Sequence, residues 1–68
     1  MNVKTISRAQ SAAAGVNDLI EQSGLAAVLL ACAMWAETRA DEAPPDVSND
    51  LWLAVEALEN AVEAAERT

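Results

Sequence analysis

The clearest pattern of apolar and polar positions lies in the last third of the chain. Between residues 48 and 67, apolar side chains recur at alternating spacings of four and three, which is typical of an amphipathic helix with one packed stripe. The stripe consists of Leu51, Val55, Leu58, Val62 and Ala65. About 100° around the helix lies a row of carboxylates. We call this row the glutamate stripe; it consists of Glu56, Glu59, Glu63 and Glu66. The pattern predicts a helix over about residues 48–67 with one packed side and one solvated side.

An earlier segment, over about residues 18–40, shows a less regular helical pattern. A stripe with spacings of four and three continues through it, but the remaining sides are also apolar from residue 25 onward. That stripe is formed by Val16, Ile20, Ser23, Ala27, Leu30 and Met34. A second stripe is formed by Leu25, Val28, Cys32 and Trp35. A helix that is apolar on every side is normally surrounded by other helices.

The two predicted helices are separated by a segment rich in proline and acidic residues. Residues 41–47 contain Pro44 and Pro45 and show no periodicity, so the sequence predicts a loop there. Asp46 and Ser48 are both suitable N-cap residues for the helix that follows. Since a short connection makes neighbouring helices antiparallel, residues 18–68 are expected to form a helical hairpin.

Residues 1–17 allow two interpretations. We expect a break or kink near Gly15, which leaves a short N-terminal helix with capping-box spacing from Ser7 to Gln10. The alternative is one continuous helix from about residue 5 to residue 40, in which each internal glycine costs about 1 kcal/mol. In both cases this segment is basic, with Lys4 and Arg8 and no acidic residue.

The apolar segment indicates self-association, because one partner helix of about 20 residues cannot cover it. We therefore expect an all-α homodimer in which two hairpins form a four-helix-bundle-like assembly. The candidate dimer-core residues are Ile20, Ala27, Val28, Leu30, Met34, Leu51, Val55, Leu58 and Val62.

Composition narrows the possible functions. The 68 residues carry eleven acids against four bases and contain no histidine and a single cysteine, Cys32. A net charge of −7 argues against direct nucleic-acid binding, and the absence of histidine argues against zinc and ferritin-like metal sites. The longest apolar run, residues 25–36, is shorter than the roughly 20 residues that span a membrane. We expect no membrane insertion, no cofactor and no metal, a cytoplasmic location, and a buried, unreactive Cys32.

The candidate partner-binding residues are the two tryptophans and the charged residues near them. Tryptophan is enriched in binding hot spots, although packing inside the protein, including the dimer seam, is the favoured role of the two side chains. Trp52 falls on the same side of its helix as the glutamate stripe, which itself is either a solvated surface or a contact for a basic partner. The candidates are Trp52, Trp35, Arg39, Glu56, Glu59, Glu63 and Glu66.

No arrangement of residues in the sequence indicates catalysis, so we expect a protein that is not an enzyme. The favoured hypothesis is a small acidic module that binds an unidentified protein, as a homodimer, in the role of a regulator, inhibitor or adaptor. The size of the chain also fits a phage-borne or accessory regulator. Two alternatives remain open from the sequence. One is a structural subunit of a heteromeric complex, and the other is an acidic inhibitor that mimics nucleic acid.

Overall fold

The computed structural model describes residues 1–67 and contains three helices. They are α1 (Val3–Ser23), α2 (Leu25–Glu42) and α3 (Pro45–Glu66). No strand occurs within the described residues. The all-α fold class that the sequence predicts is therefore confirmed.

The first helix begins earlier and ends later than the sequence indicated. Its N-cap is Asn2, whose side-chain oxygen accepts a hydrogen bond from the backbone N–H of Lys4 at 2.8 Å. The helix then continues through Gly15 to Ser23. The expected break at Gly15 is wrong, and so is the alternative of one helix reaching residue 40. An isolated helical glycine costs only about 1 kcal/mol, which neighbouring turns tolerate.

The chain turns at Gly24 instead. Gly24 has φ 89° and ψ 153°, a conformation that is essentially restricted to glycine. Its N–H donates to the carbonyl of Ile20 at 2.7 Å, and its carbonyl accepts from the N–H of Val28 at 3.2 Å. One residue thus provides the last hydrogen bond of α1 and the first of α2, while the helix axis bends by 115°. The division expected between residues 1–17 and 18–68 therefore falls at Gly24.

The connection between α2 and α3 is shorter than the predicted loop over residues 41–47. Only Ala43 and Pro44 lie between the helices, so α2 and α3 form an antiparallel hairpin. Pro45 occupies the first helical position, where its fixed φ suits the helix and its missing N–H is not needed. Neither Asp46 nor Ser48 is the N-cap, because both lie inside α3.

The hairpin is packed through small side chains. Among the described residues, four are buried: Ala33, Ala36 and Ala40 of α2, and Val55 of α3. Alanines allow the two helix backbones to approach closely, so α2 presents its alanine side to α3. Leu29 continues this side of α2 and is half-buried, whereas Leu30, Met34 and Trp35 lie on other sides of the helix and are exposed.

The first helix lies apart from this hairpin. No Cα atom of α1 comes within 8 Å of a Cα atom of α3 over the described residues. The radius of gyration is 13.2 Å, whereas a compact chain of this length has about 11 Å. In the described residues no single helix is long and apolar enough to cross a membrane, although α1 and α2 together meet that test despite their bend.

Ser48 joins the two helices of the hairpin. Its hydroxyl donates a hydrogen bond to the backbone carbonyl of Ala40 at 2.9 Å in a partly buried position. We expect Ser48→Ala to lower the free energy of unfolding by about 1 kcal/mol, because that carbonyl loses its side-chain donor. Urea denaturation followed by circular dichroism measures the change.

Ser11→Ala is the matched control. The Ser11 hydroxyl also donates to a backbone carbonyl, that of Ser7, but within the exposed surface of α1. Its removal is expected to change stability by no more than a few tenths of a kcal/mol. Equal effects of the two substitutions would show that the Ser48 hydrogen bond does not hold the hairpin together.

Candidate functional site

Two apolar depressions and the glutamate stripe are the features of this surface that bear on function. The first depression lies where α2 turns into α3, and we call it the loop-end depression. It measures about 420 Å³ and is lined by Trp35, Arg39, Glu42, Ala43, Val47 and Leu51. The second, the bend groove, lies in the angle between α1 and α2. It measures about 320 Å³ and is lined by Leu19, Val28, Ala31, Cys32 and Trp35.

Trp35 lines both depressions and is 61% exposed. It stands on α2 away from the buried alanine side, because Ala33 and Ala36 already fill the contact with α3. The guanidinium of Arg39 lies over the indole ring, 5.1 Å from the ring centroid. Such a cation–π contact contributes about 0.5–1 kcal/mol at an exposed site and holds the two side chains together. The sequence placed both residues among the partner-binding candidates, and the structure brings them into direct contact.

Trp52 occupies a different part of the surface. It is 44% exposed and lines neither depression. On α3 it falls about 90° from the side that packs against α2, by the 3.6-residue turn, and thus on the side of the glutamate stripe. All four glutamates of that stripe are exposed. The structure therefore gives the candidate residues two locations, Trp35 with Arg39 and Trp52 with the glutamates.

The candidate dimer-core residues fall into two groups, those packed within the hairpin and those on the other helices. Val55 is buried against α2, and Leu51, Leu58 and Val62 beside it are half-buried, so the α3 stripe packs within the chain. On the other helices, Ile20 and Val28 are half-buried and Ala27 is exposed. Leu30 is 46% exposed and Met34 60% exposed. Among these candidates, the side chains that remain exposed, those of Ala27, Leu30 and Met34, all belong to α2.

Cys32 is not buried, contrary to the expectation from its position in the apolar run. It is a free, exposed thiol in the bend groove. The sequence argument failed because the hairpin uses the alanine side of α2, which leaves the stripe containing Cys32 outside the core. Leu19, which faces Cys32 across the bend groove, also went unrecognised, because Gly24 was not expected to form the bend.

The described residues contain no group of three or more histidine, cysteine, aspartate or glutamate side chains positioned to hold a metal ion. The two depressions are lined mainly by apolar side chains, with Arg39 and Glu42 at the rim of one. No family model matches the chain, and no curated protein or solved structure matches it.

Proposed function

We propose that this chain is a non-enzymatic protein-binding module that acts as a homodimer. The observation that carries the proposal is the amount of surface the single chain leaves exposed. Its accessible surface is 5313 Å², whereas a compact monomer of its mass, 7.1 kDa, exposes about 4,100 Å². The difference, about 1,200 Å², exceeds the roughly 800 Å² that each partner contributes to a standard protein–protein interface.

The chemistry of that surface favours burial. Large apolar side chains on α1 and α2 are between two-fifths and two-thirds exposed. They include Val16, Leu19, Leu25, Leu30, Met34 and Trp35. Burying a fully exposed side chain of this kind contributes about 1.5–3 kcal/mol, so covering the half that remains exposed contributes about half as much. An assembly that covers α1 and the outer side of α2 therefore gains free energy comparable with the whole stability of a small domain, about 5–15 kcal/mol.

In this proposal the dimer leaves a second surface for another protein. We assign that role to Trp52 and the glutamate stripe on α3, since an exposed aromatic beside a row of carboxylates suits a partner with a basic, partly apolar contact site. The charges also repel phosphate backbones, so the proposed partner is a protein and not a nucleic acid. A four-helix-bundle-like arrangement of the two copies, with a cytoplasmic location, is part of the same proposal.

Sedimentation equilibrium between 1 and 200 µM tests the self-association. We expect a mass of about 14 kDa, twice that of the chain, over most of this range, and a cooperative thermal transition whose midpoint rises with concentration. A cooperatively melting 7.1 kDa species at every concentration would contradict the proposal.

Quantitative affinity capture tests the assignment of the second surface. With the tagged dimer as bait, we expect Trp52→Ala to reduce recovery of the specific partner at least tenfold. Leu53→Ala is the matched control, because Leu53 is the adjacent apolar residue and is 65% exposed but lies about 100° away around α3. Equal losses for both variants, with the dimer intact, would exclude Trp52 and the glutamate side as the partner site.

A further inference from the structure

The surface of α1 contains a regular apolar face that the rest of the described chain covers only at its end, where Ile20 is half-buried. Its positions recur at spacings of three, four, three and four, which is the pattern of a helix that packs against another helix. We call it the α1 face, and it consists of Ile6, Ala9, Ala13, Val16 and Ile20. No residue of α1 is buried, and Ile6 and Val16 remain 42% and 41% exposed.

We propose that the α1 face is the dimer interface, and that it packs antiparallel against the same face of α1 in a second copy, with the two-fold axis at Ala13. This inference rests on the homodimer proposed above and specifies which helix forms it. A two-fold interface uses the same surface patch on both copies, so the patch must be complementary to itself. The α1 face meets this requirement, since Ile6 and Ile20 lie seven residues on either side of Ala13.

The sizes of the side chains favour the antiparallel arrangement. Antiparallel pairing through Ala13 places Ala9 within one residue of the level of Val16 in the second copy, so that a small side chain meets a larger one. Parallel pairing would instead place Ala9 and Ala13 each opposite its own equivalent, which gives two successive layers of alanine between layers of larger residues. Such uneven layers leave voids, and voids cost stability in packed interfaces.

The charges along α1 favour the same arrangement. Lys4 and Arg8 lie in its first half, while Asp18 and Glu21 lie in its second half. Antiparallel pairing places each basic half at the level of the acidic half of the second copy. Parallel pairing places like charges at the same level. By the 3.6-residue turn, Arg8 and Glu21 lie about 100–120° from the middle of the α1 face, and Lys4 and Asp18 lie on the opposite side of the helix. Their attraction therefore acts at long range, is screened by salt, and affects the orientation of the pair more than its affinity.

A membrane surface is the other possible cover for an amphipathic helix. Helices that lie on membranes carry a polar side rich in lysine and arginine. The polar side of α1 has two basic residues along with Asp18 and Glu21, and the rest of the chain is strongly acidic. A second copy of this chain is therefore the better match to the charge of α1.

Single-cysteine cross-linking tests the arrangement. Cys32 is the one cysteine of the chain, so Cys32→Ser provides a background in which Ala9→Cys, Ala13→Cys or Ala14→Cys is unique. All three alanines are exposed on α1, and Ala14 lies about 120° from the middle of the α1 face. Because a disulfide requires Cα atoms within about 7 Å, we expect mild oxidation to cross-link Ala13→Cys at least tenfold faster than the other two.

The outcomes separate this inference from the proposed function. Fast cross-linking through both Ala9→Cys and Ala13→Cys would establish a parallel pair and overturn the antiparallel arrangement. Equal rates for all three variants, in a protein that still sediments as a dimer, would overturn the α1 interface and leave the homodimer intact. A chain that sediments as a monomer throughout would overturn both.

A second pair of variants tests, without cysteine chemistry, how much the α1 face contributes to dimerisation. Ala13→Glu places two carboxylates together at the proposed axis, and we expect it to weaken dimerisation at least 100-fold while far-ultraviolet circular dichroism still shows a helical chain. Ala14→Glu, which adds the same charge off the α1 face, is expected to leave the dimer unchanged. Wild-type protein that stays monomeric but cosediments with vesicles of phosphatidylserine and phosphatidylcholine, and loses that binding on Ala13→Glu, would overturn the proposal in favour of a membrane surface.

Discussion

Replacing Gly24 with alanine is expected to straighten the chain. The backbone conformation at Gly24, with φ 89° and ψ 153°, costs a non-glycine residue about 1–3 kcal/mol. In a continuous helix, alanine is favoured over glycine by about 1 kcal/mol. Together the two effects shift the balance by about 2–4 kcal/mol towards a single helix that joins α1 to α2.

Energy transfer between dyes on the N-terminal amine and on Cys32 measures this change. The 115° bend holds the two sites about 30 Å apart, whereas a continuous helix separates them by about 45 Å at 1.5 Å per residue. Labelled chains are diluted into unlabelled protein so that transfer occurs only within one molecule. We expect transfer efficiency to fall markedly in the Gly24→Ala chain.

Gly15→Ala is the control for Gly24→Ala. Gly15 lies inside α1, and a Cβ added there meets no atom within 4 Å. This variant is expected to stabilise the protein by about 1 kcal/mol and to leave the distance unchanged. An unchanged distance in both variants would show that the bend is fixed by packing between α1 and α2 and does not depend on the freedom of glycine.

Ala36→Leu is expected to cause the largest loss of stability. Ala36 is 5% exposed and lies between Ala33 and Ala40 on the side of α2 that contacts α3. A leucine at this position forces the two helices apart, which costs about 1–3 kcal/mol in a well-packed core. For a chain of this size, a loss of 2–3 kcal/mol lowers the melting temperature by roughly 10–20 °C. Thermal unfolding followed by circular dichroism gives this value directly.

Ala57→Leu controls for the added side chain. It makes the same substitution at an exposed position of α3 on the side opposite Val55, and alanine and leucine have similar helix propensities. We expect its melting temperature to stay within a few degrees of the wild type at equal protein concentration. If Ala36→Leu and Ala57→Leu melt alike, close approach through alanine does not hold α2 and α3 together.

The hairpin was largely predictable, because strong local patterns specify it. The stripe through Leu51, Val55 and Leu58 identified the side of α3 that contacts α2, and the two prolines located the turn. The exact start of α3 was missed by three residues, since Pro45 begins the helix and Ser48 bonds back to α2. That hydrogen bond joins residues from two helices and has no local signature.

The packing of α2 was not predictable from periodicity. Residues 25–36 are apolar on every side, so no stripe marks the contact with α3. The expected stripe through Leu30 and Met34 is exposed, and the alanine side is buried instead. The close approach of the α2 and α3 backbones determines which side of α2 is buried. Because that is the alanine side, Cys32 and Trp35 lie at the surface.

The sequence by itself determined a helical chain, the position of the proline turn, the stripe of α3 and the separation of a basic beginning from an acidic remainder. These follow from helix propensity, proline geometry and side-chain spacing, which act over a few residues. Only the tertiary structure decided that Gly24 and not Gly15 forms the bend, and that α2 packs through alanine. Both glycines have the same intrinsic preference and residues 25–36 are apolar on every side, so local propensity and side-chain spacing do not distinguish between these choices.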